Sequence, residues 1–499
     1  ITNNEDLSGL RWTVDEIEDF EVIKKIFNHF YPRTSFTWKE VLDLYKEYQE
    51  LFACKNKIKR NEGALIGTGQ KLCKRAKKLI PGGNMLLSKR SEMFLPKLWP
   101  TYFSKAKGCQ VWDMDGKQYT DMSLMGIGTN VLGYGNSIVD EAVKNTLLKG
   151  NMSTLNCPEE VYLAEKLIEL HSWGGMALFA RSGGEANSIA IRIARAATGK
   201  DNVAICGYHG WHDWYLSSNL NNEDQLSEHL LPGLEPNGVP KCLQGTVIPF
   251  TYNNYEELEN IVNQYDIGVI KMEVERNLKP KNNFLHRIRK LATEKNIILI
   301  FDECTSGFRE TFGGLHKTYE VDPDMAIFGK ALGNGYAITA VLGRREVMES
   351  SLSTFISSTF WTERIGPTAA LKTIEVMEKE KSWEKVKSIG IKIREGWQQL
   401  ADEKGIKITQ SGLISLPSFT IDSPNNLAYK TLITQEMLTK GYLAGNSIYV
   451  CTEHSPKIID NYFESLEYVF NLIKKCEEGH DVNSYLKGPV CHSSFRRLN

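Results

Sequence analysis

The sequence predicts an α/β fold, a buried and mostly parallel sheet followed by a smaller α+β unit. Three features carry that expectation. Between about residues 126 and 345, short apolar runs alternate with amphipathic stretches: MALFA (176–180), NVAIC (202–206), IGVIKME (267–273), IILIF (297–301) and MAIF (325–328). Unbroken apolar strands separated by helices are what a sheet covered on both faces requires. From about residue 370 the pattern changes to a helix, strands near 413–421 and 442–450, and a closing helix from Asp460 to Lys475. The length of 499 residues exceeds one ordinary domain and suggests about three units.

Taken in order, the first 62 residues differ from the rest. LSGLRWTVDEIEDFEVIKKIFNHFYP begins with a short strand, Leu10 to Val14, and continues as a helix with Phe20, Ile23, Ile26, Phe27 and Phe30 on one face. A second helix places Val41, Leu44 and Tyr48 on one side. One strand and two helices bury little, so a partner sheet is expected. Next, KRAKKLIPGGN is a helix stopped by Pro81, Gly82 and Gly83, and VWDMDGKQYTDM carries a hairpin signal at Asp115 and Gly116. The expected divisions are 1–62, an N-terminal segment at 63–125, a large domain at 126–370 and a small one at 371–499. The first residue is Ile1 rather than Met, which suggests a processed, truncated or excised chain.

Composition excludes several classes. Lys plus Arg total 60 against 61 Asp plus Glu, so no net field recruits nucleic acid or an anionic membrane. The ten cysteines show no CxxC pair and no ligand-like spacing to the ten histidines, so neither a metal site nor a disulfide framework is expected. Reduced thiols, no apolar run of about 18 residues and no signal-peptide pattern point to the cytoplasm and a small-molecule substrate.

Ligands of open α/β sheets gather where parallel strands end. MALFA leads into Ser182, Gly183 and Gly184 at a helix start, an anion site or an ordinary cap. NVAIC leads into GYHGWH, where Tyr208 offers an aromatic face or a plain surface ring. IILIF is followed by Asp302, Glu303 and Cys304, a costly place for a carboxylate unless a cation meets it. MAIF is followed by Gly329 and Lys330, either a solvated loop lysine or an amine activated by its surroundings. Pyridoxal 5'-phosphate is the one ligand that asks for all four: a phosphate cradle, a ring face, a carboxylate for the ring nitrogen and an amine for the aldehyde.

SGGEANSIAIRIARAATG, YHG, IFDECTSGFR, PDMAIFGKALGNGY and VWDMDGKQYTDM together resemble the class III aminotransferases, fold type I pyridoxal phosphate enzymes, with glutamate-1-semialdehyde aminomutase nearest. The likeness spans about residues 64–475 and implies a large domain with a seven-stranded sheet. It implies that Lys330 bonds the cofactor aldehyde and later shuttles a proton, and that Asp302 keeps the pyridine nitrogen protonated. Tyr208 would stack on one ring face, with His209 beside it in the YHG motif, and Cys304, where the family has Val or Ile, would pack on the other. Ser182, Gly183 and Gly184 would hold the phosphate. Glu273 matches the glutamate of the EPV motif, although Val274 replaces the proline, and Thr359 resembles the threonine that reaches the neighbouring subunit's phosphate, implying an obligatory homodimer. The resemblance thus implies amino transfer from a donor such as glutamate to a small carbonyl acceptor.

The N-terminal piece, LRWTVDEIEDFEVIKKIF with IKRNEG, resembles the last segment of polysaccharide-type cytidylyltransferases, in which an aspartate at the Asp15 position can lie near a metal. That suggests a fusion remnant and a role in surface-glycan or nucleotide-activated sugar synthesis. An intramolecular aminomutase is the enzymatic alternative, weakened because Pro81, Gly82 and Gly83 lead into NMLLSKRSEMF, with Leu86 or Leu87 where a polar contact is expected. A non-catalytic fold partner of a fused cytidylyltransferase is the third. Arg309 and CTEHS (451–455) sit where substrate or a lid could touch, or are a structural ion pair and a loop. Trp99, Trp211 and Trp361 either line the pocket or fill the core.

Overall fold

The computed structural model describes residues 14, 17–52, 67–221 and 235–493. The expected strand at Leu10–Val14, Asp15 and the IKRNEG stretch lie outside the described residues, apart from Val14 itself, which is not in a strand. Two helices open the chain, α1 (Ile17–Phe30) and α2 (Trp38–Glu47). Thr37 caps α2 in a reciprocal box with Glu40. The partner sheet expected for these helices is not what buries them. Ile26, Val41 and Leu44 pack on one another with Val22, Ile23, Phe30 and Phe36, while Phe20 and Phe27 remain exposed.

Helix α3 (Thr68–Leu79) ends before a single tight turn at Pro81–Gly83, as the Pro-Gly-Gly signal requires. The hairpin forms from β1 (Phe103–Lys107), β2 (Gln110–Asp113) and β3 (Gln118–Met122), turning at Gly116 with φ +81°. Helices α4 (Ser137–Leu147) and α5 (Pro158–Leu170) then lead to the main sheet.

Its elements are β4 (Met176–Ala180), α6 (Gly183–Thr198), β5 (Asn202–Cys206), β6 (Val247–Pro249), α7 (Tyr255–Gln264), β7 (Ile267–Met272), α8 (Phe284–Glu294), β8 (Ile298–Glu303), β9 (Met325–Phe328) and β10 (Thr339–Gly343). The order is β4-β10-β9-β8-β7-β5-β6, with β10 antiparallel to both neighbours and the other pairings parallel. All five expected strands are present and end on one edge. The two that were not expected are β6, three residues long, and β10, which comes after a glycine-rich turn.

Strand alternation assigns the faces. Val203, Ile205, Val269, Ile298 and Ile300 pack with Ala186, Ile189, Ala190 and Ile193 of α6. Ala204, Ile270, Met272, Leu299 and Phe301 pack with Leu258 and Ile261 of α7 and Ile288 and Leu291 of α8. Asp302 and Glu303, adjacent in β8, therefore point to opposite faces, which gives them different partners.

The tail departs from expectation in detail. Helix α9 (Ile365–Glu380) and the long α10 (Ser382–Lys404) precede a two-stranded hairpin, β11 (Ile408–Ser411) and β12 (Ser418–Ile421), where one strand near 413–421 was expected. After α11 (Asn426–Thr439), β13 (Tyr442–Ala444) is only three residues long and joins β3 in parallel, and the run to 450 continues as buried irregular chain. The closing helix is α12 (Pro456–Glu477), longer than expected at both ends; Ser455 caps its earlier start. No helix among the described residues is long and apolar enough to cross a membrane.

Candidate active site

Lys330 comes after β9 through Gly329 and takes φ +43°, a backbone conformation that costs a lysine and is concentrated at functional sites. Its Nζ donates to Thr305 Oγ1 at 2.7 Å. Enclosure by protein is the main cause that brings its amine down to about 8, and the guanidinium charges of Arg276 and Arg309 add to it. It is therefore no solvated loop lysine.

Asp302, buried near the end of β8, is met from two sides. His209 Nδ1 lies 2.9 Å from Oδ2 and Lys271 Nζ 3.8 Å from the same oxygen, while Oδ1 accepts the Cys304 amide at 3.1 Å. Burial pushes the carboxyl up, but Lys271 and His209 outweigh it and hold the group well below the usual carboxylate range. His209 is itself buried, with Nε2 3.2 Å from the Cys206 carbonyl, and burial drives its ring toward the neutral form.

Glu273, just past β7, accepts the Tyr208 amide at 3.1 Å and pairs with Arg276 at 2.9 Å. Gly207, at φ +107°, lets the Tyr208 loop pass, since a Cβ there would stand 2.6 Å from Glu273 Oε2. Tyr208 is half-buried against Tyr215. Cys304 Sγ lies beside Gly183 and Gly329.

At the start of α6, Ser182 behaves as a cap. Its hydroxyl and amide both donate to Glu185 Oε2, at 2.9 and 2.8 Å, and Oγ accepts the Glu185 amide. The outward amides of Gly183 and Gly184 are the ones left for an anion. A Cβ on Gly184 would come within 2.7 Å of the His212 ring, and His212 Nδ1 is buried without a partner among the described residues. This cradle, the carboxylate and the activated amine fit pyridoxal phosphate: Gly183 and Gly184 for the phosphate, Asp302 for the ring nitrogen, Lys330 for the aldehyde.

Thr359 is exposed. Its turn is tied to the cradle through Trp361, which donates to Glu185 Oε1 at 3.1 Å, and through Arg181, which donates to the Trp361 and Glu363 carbonyls. Trp211 is 69% exposed and Trp99 stacks on Phe94. Arg309 forms no ion pair among the described residues. It is buried and donates to the backbone carbonyls of Thr305, at 2.6 Å, and Gly128. In CTEHS, His454 is a buried strut between the Cys451 amide and the Asp121 carbonyl.

Sequence reasoning missed Lys271, Thr305, Arg276 and His212. Lys271 sits in an otherwise apolar strand, so the run read as core and the lysine within it passed unremarked. Arg276 stands three residues past Glu273, where a turn brings the two together.

Residues 96–454 match the family Aminotransferase class-III, and the chain belongs to that family of pyridoxal phosphate-dependent enzymes. It is 32% identical over 431 residues to the 3-aminobutyryl-CoA aminotransferase of Cloacimonas acidaminovorans, covering 82% of this chain and 98% of that protein. It is 31% identical over 364 residues to the glutamate-1-semialdehyde 2,1-aminomutase of Methanococcoides burtonii, covering 70% and 84%. In fold it resembles the pyridoxal phosphate internal aldimine form of the Sphingopyxis FumI protein, with a TM-score of 0.75 at 23% identity, over 84% of this chain and 100% of that one.

Proposed function

We propose that the chain moves the amino group of an amino-acid donor, glutamate first, onto the carbonyl of a small acceptor, and that it does so as a homodimer. The observation that carries this reading is the Lys330 amine, brought down to about 8 and held by Thr305, at the same sheet edge as the ionised Asp302. Bound pyridoxal phosphate supplies an aldehyde that captures amines and a ring that accepts electrons from the substrate's α-carbon. Lys330 provides the nucleophile, since an amine near 8 is neutral in an appreciable fraction at neutral pH. With the cofactor bound, the same nitrogen would be the group placed to take the substrate's α-proton and return it. Asp302 would hold the ring nitrogen protonated, with its carboxylate oriented by His209. The Gly183 and Gly184 amides hold the phosphate, with Thr359 from a second copy completing the cradle. Tyr208 and Cys304 would pack against the ring.

The acceptor is read from two directions. The relative acting on 3-aminobutyryl-CoA, as its name states, supports a β-keto thioester. The N-terminal likeness to cytidylyltransferases supports a keto sugar of surface-polysaccharide synthesis. The aminomutase reading is favoured by the similarity to glutamate-1-semialdehyde 2,1-aminomutases. It differs in needing no separate donor. Turnover measured with both acceptor types, with and without glutamate, sorts these readings. Lys330→Ala should abolish the visible absorbance of bound cofactor and lower turnover about a thousandfold or more; a variant that kept both would defeat the assignment.

A further inference from the structure

Lys271 helps hold Asp302 ionised, but nothing above assigns it a role toward the cofactor ring. In register it pairs with Ile205 of β5 and Ile300 of β8, in the interior of the sheet. By alternation its side chain shares the face of Val269, which α6 covers. It is 0% exposed, and its Nζ has no hydrogen-bond partner among the described residues. That nitrogen stops 3.8 Å from Asp302 Oδ2, an oxygen already engaged by His209 at 2.9 Å. Two nitrogen groups thus converge on one carboxylate oxygen.

We propose that Lys271 is a positioning residue that competes with His209 for Asp302 and so sets how much of the carboxylate's charge reaches the ring nitrogen of the bound cofactor. Only the last clause rests on the function proposed above. The ionisable groups around Lys271 are Asp302 on β8, Glu273 just past its own strand, Cys304 past β8 and His209 past β5. The α6 residues that cover this face include Ala186, Ile189 and Ala190, which are not titratable. Burial disfavours the charge on Lys271, and the Asp302 carboxylate opposes that effect. That charge in turn opposes protonation of His209, adding to the effect of burial. A charge on Lys271 thus disfavours a second cation beside Asp302.

The test is ring nitrogen NMR of histidine in the cofactor-free, full-length protein, with the His209 resonance assigned by its loss in His209→Asn. In the unaltered protein His209 is neutral at about pH 7. Lys271→Met keeps the length and removes the charge, and should move the His209 titration up by about one pH unit or more. Lys271→Arg restores the charge and should reverse the shift. In the loaded enzyme, the pH dependence of the visible absorbance should differ between Lys271→Met and the unaltered protein, and Lys271→Arg should recover the original profile. A His209 titration unmoved by Lys271→Met overturns the proposal. Should that variant not fold, Lys271→Gln, which also removes the charge, should give the same upward shift, and an unmoved His209 titration there overturns the proposal. Absence of visible absorbance in every protein would count against the cofactor reading while leaving the histidine titration readable.

Discussion

At the scale of single residues, the site works by setting ionisation states that neutral water would not give. Lys330 is brought to about 8 by enclosure first and by neighbouring guanidinium charge second. Chemical labelling of its amine in the cofactor-free protein should therefore rise with pH to half its maximum rate near pH 8. Arg276→Gln removes one of the two charges and should move that midpoint upward; an unchanged midpoint would show that Arg276 does not act on Lys330. Asp302→Asn preserves shape but removes the anion. It should lower turnover about a hundredfold or more through the lost electrostatic support of the ring nitrogen, checked by steady-state kinetics at saturating cofactor.

At the scale of elements, the strand ends do the positioning. Glu303, turned to the face opposite Asp302, anchors the end of β8. It accepts the Leu315 and His316 amides at 2.5 and 3.1 Å, the Ser306 hydroxyl at 3.1 Å and His316 Nδ1 at 2.5 Å. Because Trp173 Nε1 donates to His316 Nε2 at 3.0 Å, the proton of that ring lies on Nδ1, facing Glu303. Glu303→Leu leaves those donors unsatisfied and should destabilise by about 3 kcal/mol, read by chemical denaturation. Ser182→Ala removes the cap of α6 and should cost about 1 kcal/mol. The parallel strands were legible in the sequence because burial on both faces writes unbroken apolar runs, and the residues just past each run named Lys330, Asp302, Tyr208 and the glycines. β10 was not legible, since an antiparallel strand after a glycine turn carries no ligand residue and no crossover helix to announce it. Lys271 was hidden by its own strand, whose apolar neighbours on both sides made IGVIKM read as core. Arg276 and Thr305 depend on how loops fold back, which spacing alone does not encode.

At the scale of the whole molecule, acid stability and assembly are governed by what is buried and what is not. Burial lowers His171 and His454 to about 4, against an ordinary histidine value of about 6.5. Between those values the unfolded chain binds more protons, so stability is complete above about pH 6.5 and is lost as pH falls toward about 4. Thermal midpoints measured across that range should fall with pH; a flat profile would mean that these rings are not buried neutral. Leu352, Phe355 and Phe360, flanking Thr359, are at least 69% exposed, an apolar surface that suits a second copy of the chain. Light scattering should give twice the 56.5 kDa of the chain, and Phe355→Glu should halve that mass and lose activity together. The most direct test of the account as a whole is to supply the protein with pyridoxal phosphate, reduce it with borohydride and map the peptides by mass. The phosphopyridoxyl increment should fall on Lys330 alone. An increment on another lysine, or on none, would contradict the account.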